Sequence, residues 1–109
     1  MNENYQFDMI AAEAPSAIVM EGNCDLRGSE ALASALREHL ARGSVMIDAS
    51  ALQSADIASL QLLLSARKAA AAAGTIFAIT GWEASGLPVA IERAGLSQAF
   101  GALMPSVGA

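Results

Sequence analysis

The stretch SADIASLQLLLSARKAAAAAG, residues 54–74, decides how this chain folds. Its apolar residues recur at the spacing of one helix face, which predicts an amphipathic helix packed through Leu60, Leu63, Leu64 and Ala71. Asp56 stands at the position of an N-cap, and Gly74 stands where the helix ends. The unusual residue is Ile57, because it follows the aspartate directly at a helix start, where serine or threonine fits more naturally.

Apolar runs stand on both sides of this helix. Residues 45–47 before it and residues 75–79 after it are short apolar segments, typical of strands that are covered on both faces. Upstream of the first run, leucines at intervals of four predict another helix, packed through Leu32, Leu36 and Leu40. Ser29 is its expected N-cap and Gly43 its expected end.

The N-terminal part of the chain predicts a hairpin. Residues 5–12 alternate loosely between apolar and polar side chains, and residues 17–20 form a second short apolar run. Pro15 and its neighbours separate the two segments. We therefore expect the segments to pair as antiparallel strands with a turn near residues 13–15.

The C-terminal part predicts further helices. One helix is expected from Ser85, with Pro88 tolerated in its first turn, and a shorter one at residues 96–103, before a disordered tail at about residues 104–109. Strands that alternate with helices indicate a mostly parallel sheet with right-handed crossovers. The predicted fold class is α/β: a single domain over residues 1–109, with a central mixed β-sheet of about four to five strands and about four helices.

Composition restricts the partners of the protein. The chain has 109 residues and a net charge of −5, and its six Lys and Arg residues are spread along the sequence. Nucleic acid needs a concentrated cationic face and anionic lipid repels an acidic surface, so neither partner is expected. The sequence starts without a signal-peptide pattern and contains no apolar run of spanning length. A cytoplasmic protein without direct membrane insertion is therefore expected.

The residues that carry chemistry do not form a catalytic set. The single histidine, His39, has no nucleophile near it in the sequence and is interpreted as a solvated helix residue. The single cysteine, Cys24, excludes an internal disulfide and is interpreted as a small apolar filler. No glycine-rich phosphate loop is present, and three aspartates stand where they cap helices or close turns, namely Asp25, Asp48 and Asp56. We predict no enzyme, no cofactor and no metal site.

Trp82 lies in a loop after the predicted strand at residues 75–79 and permits two interpretations. An aromatic residue at such a place can anchor a protein interface, or it can cover the edge of the sheet as a half-buried lid, which is the commoner arrangement. The oligomeric state also stays open, because the alanines at residues 69–73 fit either self-association or the core-facing side of the helix.

Several segments together resemble a known family. Residues 21–25, Glu-Gly-Asn-Cys-Asp, resemble the family's Glu-Gly-x-Leu-Asp, and residues 45–52, Val-Met-Ile-Asp-Ala-Ser-Ala-Leu, are similar to its hydrophobic strand ending in Asp-Leu-Ser. Residues 56–60, Asp-Ile-Ala-Ser-Leu, stand at the place of Asp-Ser-Ser/Ala-Gly-Leu, and residues 95–100 resemble a closing Gly-Leu-x-x-x-Phe. In this order and spacing, over about residues 5–103, the chain resembles the STAS domains of bacterial anti-sigma-factor antagonists and of sulfate-transporter tails.

The resemblance implies a docking loop made of Asp56, Ile57, Ala58, Ser59 and Leu60. In the antagonists, the residue after the aspartate is a Ser or Thr that a partner kinase phosphorylates, and the added charge releases the partner. That position is Ile57 here, so the implied switch is missing from its usual place. Ser59, which replaces a glycine, and Ser54 are candidate displaced phosphosites. Ile57 either strengthens an apolar contact with a partner or packs onto the domain's own core, and both alternatives stay open.

The function implied by the resemblance is a non-catalytic protein-binding module. It would dock on an anti-sigma factor or a histidine kinase, for example in chemotaxis or stress signalling, and bind constitutively or be controlled through its partner. The alternative is a soluble STAS subunit of a phospholipid-trafficking ABC transporter that binds the transporter's ATPase. The segment Leu-Gln-Leu-Leu-Leu at residues 60–64 resembles those subunits as well.

Overall fold

The described part of the chain forms a three-stranded parallel sheet with four helices. The computed structural model describes residues 16–101. In chain order the elements are β1 (Ser16–Cys24), α1 (Leu26–Arg42), β2 (Val45–Ala55), α2 (Ile57–Ala73), β3 (Phe77–Thr80), α3 (Leu87–Arg93) and α4 (Ser97–Gly101). The strands lie in the order β1-β2-β3, so each crossover helix connects neighbouring strands.

The α/β class and the four helices agree with the sequence prediction, whereas the sheet is smaller than predicted. Within residues 16–101 there are three strands, all parallel, instead of the four to five strands of a mixed sheet. The expected hairpin depended on a strand at residues 5–12, and that segment lies outside the described residues. The predicted tail at residues 104–109 lies outside them as well.

Helix α1 begins earlier than predicted because a different residue caps it. The carboxylate of Asp25 accepts the backbone N–H groups of Arg27 at 3.1 Å and Gly28 at 3.3 Å. This aspartate leaves β1 in an extended conformation, so it offers its oxygen to the first turn before the chain reaches Ser29. Ser29 is therefore a residue inside the helix rather than its cap, while the predicted end at Gly43 is confirmed.

Helix α2 has the predicted ends but a slightly different buried face. Asp56 is its N-cap, and Gly74 ends it in the left-handed conformation, at φ +76°. The buried residues are Ser59, Leu60, Leu63, Ala66 and Ala70. The predicted contact Ala71 is exposed and Leu64 is half-buried. The buried face of the helix therefore carries two leucines in its first half and two alanines in its second half.

Strand β2 is much longer than its apolar run. It covers 11 residues, of which the first four pair with both neighbouring strands. Beyond them, Ala51, Leu52, Ser54 and Ala55 pair with β1, and two register irregularities interrupt the pairing. Apart from Leu52, the extension ASALQSA is composed of small and polar residues, so its sequence lacks the alternating apolar pattern of a strand. Its strand conformation depends on pairing with β1, which comes from a distant part of the sequence.

The hydrophobic core lies on one face of the sheet. Alternate strand residues point into it, and the helices cover them with leucine, alanine, isoleucine and phenylalanine side chains. On the other face, Val19 and Met46 are exposed. The prediction that the central strand is covered on both faces is therefore wrong for the described residues, because their four helices bury the opposite set of side chains.

The connection from β3 to α3 passes directly against the extension of β2. The N–H of Gly86 donates to the carbonyl of Leu52 at 2.8 Å. A Cβ atom at Gly86 would overlap the carbonyl group of Gln53, so only glycine fits there. Helix α3 then starts at Leu87, two residues after the expected Ser85, with Pro88 in its first turn as predicted.

This close approach yields a stability prediction. We expect Gly86→Ala to lower the free energy of unfolding by about 3 kcal/mol, because the backbone of Gln53 must move to accept the methyl group. The midpoint of urea unfolding measures the change. The matched control is Gly28→Ala, where the new Cβ lies 3.9 Å from Cys24 Sγ inside a helix. That variant should gain up to about 1 kcal/mol, and equal losses in both variants would contradict the steric argument.

Candidate functional site

The start of α2 is fastened to the end of β1. The backbone N–H of Asp56 donates to the carbonyl of Cys24 at 3.0 Å, and the carboxylate of Asp56 accepts the N–H of Ser59 at 2.9 Å. The Ser59 hydroxyl donates to the same Cys24 carbonyl at 3.4 Å, and the Cys24 thiol donates to Ser59 Oγ at 3.2 Å. These bonds hold the first turn of α2 in one orientation.

Ile57 lies on the surface of this turn. Its side chain is 52 % exposed, whereas its neighbours on the same turn are half-buried or buried. Ile57 is not packed into the domain's own core. The core-facing positions of this part of the helix are occupied by Leu60 and Leu63. An exposed isoleucine on a rigid turn is a feature that a binding partner can cover.

The five residues of the predicted docking loop therefore divide by orientation. Ile57 points outward, Asp56 and Ala58 are half-buried, and Ser59 and Leu60 are fully buried. Leu60 belongs to the hydrophobic core, so it supports the loop without offering a contact surface. Of the five, only Ile57 presents a large apolar side chain to solvent.

An open cleft lies beside Ile57, between the start of α2 and α3. It has a volume of about 580 Å³ and is lined by residues 53–57 together with Gly86, Val89, Ala90, Arg93 and Ala94. We call it the α2–α3 groove. Sequence reasoning missed Val89 and Arg93, although their spacing of four in a predicted helix is a signal that the two share a face.

The two candidate phosphosites differ in access. Ser59 is 0 % exposed and its hydroxyl is hydrogen-bonded to Cys24, so a kinase has no path to it in the folded chain. Ser54 is exposed, and its hydroxyl donates to Asn23 Oδ1 at 2.7 Å. Within this site, Ser54 is thus the more accessible of the two candidates.

Trp82 does not extend the exposed surface. Its side chain is 8 % exposed and belongs to the core cluster, which fits a covering role better than an interface anchor. Both the N–H and the hydroxyl of Ser85 donate to the carbonyl of Trp82, at 3.1 Å and 2.8 Å. These bonds close the turn that leads into α3.

Asp48 interacts locally rather than with a catalytic partner. Its carboxylate accepts the Ser50 hydroxyl at 2.7 Å and the Ser50 N–H at 3.0 Å. The Ser50 hydroxyl first, and its backbone N–H second, hold the pKa of Asp48 below its usual value, because both bonds favour the charged carboxylate. Asp48 thus bonds locally within β2, where the pairing with β1 has a register irregularity between Asp48 and Ala51.

His39 lies on α1, outside the lining of the α2–α3 groove. It is half-buried, and its Nδ1 atom has no hydrogen-bond partner within residues 16–101. No group of three or more His, Cys, Asp or Glu side chains in the described part of the chain is arranged to hold a metal ion. No helix of the described residues is long and apolar enough to cross a membrane.

The burial of Ser59 yields a prediction about phosphorylation. We expect Ser59→Asp to lower the free energy of unfolding by more than about 3 kcal/mol, because it places an unpaired charge among buried side chains. Ser54→Asp, at an exposed position, should change it by no more than about 0.5 kcal/mol. Thermal unfolding of both variants measures the difference. Equal stability of the two variants would contradict the placement of Ser59.

The Asp48–Ser50 contact predicts a change in titration. A lowered pKa means that the carboxylate stabilises the folded chain above its ordinary pKa, and that this stabilisation is lost as the pH falls through the folded-state pKa. We expect Ser50→Ala to move the pKa of Asp48 upward, toward the ordinary value, because the strongest donor is removed. Titration of the Asp48 carboxyl followed by NMR measures this, and an unchanged pKa would assign the shift to another cause.

Comparison with known proteins bears on the whole fold. A family model described as "Mlab, STAS domain" matches residues 9–105, which is most of the chain. Comparison with curated proteins and comparison with solved structures give no match. The parallel α/β arrangement, the aspartate-capped start of α2 and the extent of the family match lead to the same assignment: this chain belongs to the STAS domain family.

Proposed function

We propose that the chain is a non-catalytic protein-binding module that docks on a regulatory protein through the start of α2. The partner class is an anti-sigma factor or a histidine kinase of a signalling complex. The observation that carries the proposal is the exposed Ile57 on a turn fixed by four hydrogen bonds between Asp56, Ser59 and Cys24. A turn that is already rigid loses little conformational entropy when a partner binds, so less binding free energy is spent on ordering it.

The proposed binding is constitutive, or is controlled through the partner. The loop residue that carries a phosphorylatable hydroxyl in antagonists is Ile57 here, and the serine two residues later is buried. An isoleucine cannot acquire charge, so this position cannot release a partner by like-charge repulsion. Regulation of the complex therefore has to act elsewhere than at residue 57.

The size of the apolar contact is consistent with a docking role. Full burial of an isoleucine stabilises by about 1.5–3 kcal/mol, and about half of the Ile57 side chain remains available for burial by a partner. The contact is therefore worth roughly 1 kcal/mol, or about a fivefold change in affinity. A carboxylate at the same place would lose this contact and would also be desolvated without a counter-charge.

A second candidate is a subunit of a phospholipid-trafficking ABC transporter that binds the transporter's ATPase. Two observations favour it. The matching family model is described as "Mlab, STAS domain" and not as an anti-sigma-factor antagonist. A structural subunit also needs no phosphorylation switch, which agrees with an isoleucine at residue 57. The two candidates share the docking surface and differ in the partner.

The experiment is affinity capture of the tagged chain from native cell extract, with partners identified by mass spectrometry. We expect the wild type to retain a partner and Ile57→Asp to retain at least tenfold less of it. The matched control is Ile76→Asp, because Ile76 is 69 % exposed and lies just before β3, at the opposite end of the sheet. It should bind as the wild type does.

The outcomes separate the candidates. An anti-sigma factor or histidine kinase lost only by Ile57→Asp supports the first, and a transporter ATPase lost only by Ile57→Asp supports the second. Equal retention by wild type and Ile57→Asp would falsify the assignment of the docking surface to the start of α2.

A further inference from the structure

The α2–α3 groove has a floor of small residues. Gly86, Ala90 and Ala94 form it, and none of them carries a side chain larger than a methyl group. Gly86 lies so close to the Gln53 carbonyl that no side chain fits there, and Ala90 is 9 % exposed. The depression is thus built into the packing of α3 on β2 and does not depend on a flexible side chain.

Two exposed apolar side chains line the groove, one from each helix. Ile57 lies on the α2 side and Val89 on the α3 side, and the exposed fractions of the two are 52 % and 53 %. Exposed aliphatic side chains that flank a floor of alanine and glycine make a slot for another aliphatic side chain. This part of the groove is apolar in character.

The third feature of the groove is a cation. Arg93 follows Val89 by four residues on α3, so the two side chains share a helix face. Arg93 is exposed, and no hydrogen bond or ion pair joins its guanidinium to another residue of the described part of the chain. The Arg93 guanidinium is therefore available to pair with an anion beside the apolar part of the groove, in a protein whose net charge is −5.

The negative group of the groove is already engaged. Asp56 also lines the groove, but its carboxylate accepts the N–H of Ser59 as the cap of α2, and it is half-buried. An incoming anion is repelled by Asp56 and attracted by Arg93, the cationic side chain of the groove lining. The lining therefore combines two exposed aliphatic side chains, Ile57 and Val89, with one cation, Arg93.

From this arrangement we infer that the α2–α3 groove binds a protein segment that carries a bulky aliphatic side chain next to a carboxylate. The aliphatic side chain lies between Ile57 and Val89, and the carboxylate pairs with Arg93. The inference rests on the proposed function and deepens it, because it specifies the chemistry of the partner. A guanidinium suits this role because it presents several donors to one carboxylate.

The test uses two probe peptides and NMR spectra of the isotope-labelled protein. The probes are acetyl-Leu-Glu-amide and acetyl-Leu-Lys-amide, which are titrated to millimolar concentration. We expect the Glu probe to shift the signals of Ile57, Val89 and Arg93 and to bind at least about threefold more tightly than the Lys probe. Shifts elsewhere only, or equal affinity for the two probes, would overturn the inference.

A charge reversal supplies the matched comparison. Arg93→Glu should invert the preference, so that the Lys probe becomes the tighter one. Arg42→Glu is the control, since Arg42 also lies exposed in the last turn of a helix and carries the same charge, but it precedes β2 at the other end of the sheet. It should leave the preference unchanged. An inversion in both variants would mean that net charge, and not the groove, selects the probe.

The captured partner separates this inference from the proposed function. If Ile57→Asp releases the partner and Arg93→Glu weakens its binding roughly tenfold, while Arg42→Glu does not, both proposals stand. If Ile57→Asp releases the partner and Arg93→Glu binds as the wild type does, the groove chemistry is wrong and the docking surface stands. If neither variant weakens binding, both are wrong for that partner.

Discussion

The pairing of β2 with β1 over the full length of β2 is the constraint on which the rest of the structure depends. Beyond the point where β3 ends, β2 continues along β1 alone and reaches Ala55, which pairs with Cys24. This brings the end of β1 beside the start of α2, and the hydrogen bonds of Cys24, Asp56 and Ser59 follow from that proximity. The same extension supports the glycine connection into α3, so the α2–α3 groove also depends on it.

Much of this arrangement was predictable from local sequence. The cap at Asp56 and the end at Gly74 were recognisable because both depend on residues within one helix turn, and the α/β order followed from the changing apolar period. The start of α1 was misplaced because two capping residues stand four positions apart, and the choice between Asp25 and Ser29 depends on where β1 ends. Only the strand pairing decides that.

The functional surface was less predictable, for a reason that lies in tertiary packing. Whether Ile57 points outward depends on how α2 is rotated, and the rotation is set by Leu60, Leu63, Ala66 and Ala70 against the sheet. The burial of Ser59 has the same cause. The groove is still harder to predict from sequence, because its walls come from segments separated by about thirty residues. Its depth depends on Gly86, which lies against the backbone of Gln53 in β2. The family match gives the fold but not this chemistry.

The unequal support of β2 along its length has a consequence for local stability. Residues 45–48 are held by strands on both sides, whereas residues 49–55 have an interrupted pairing with β1 alone and, at Leu52, a bond from the N–H of Gly86. Amide hydrogens of the first half can exchange with solvent only when the sheet is disrupted, and those of the second half can exchange through a smaller, local opening. The end of the sheet that faces the groove can therefore fluctuate while the other end stays folded. A partner that closes the groove would slow exchange in residues 49–55 without touching the centre of the sheet.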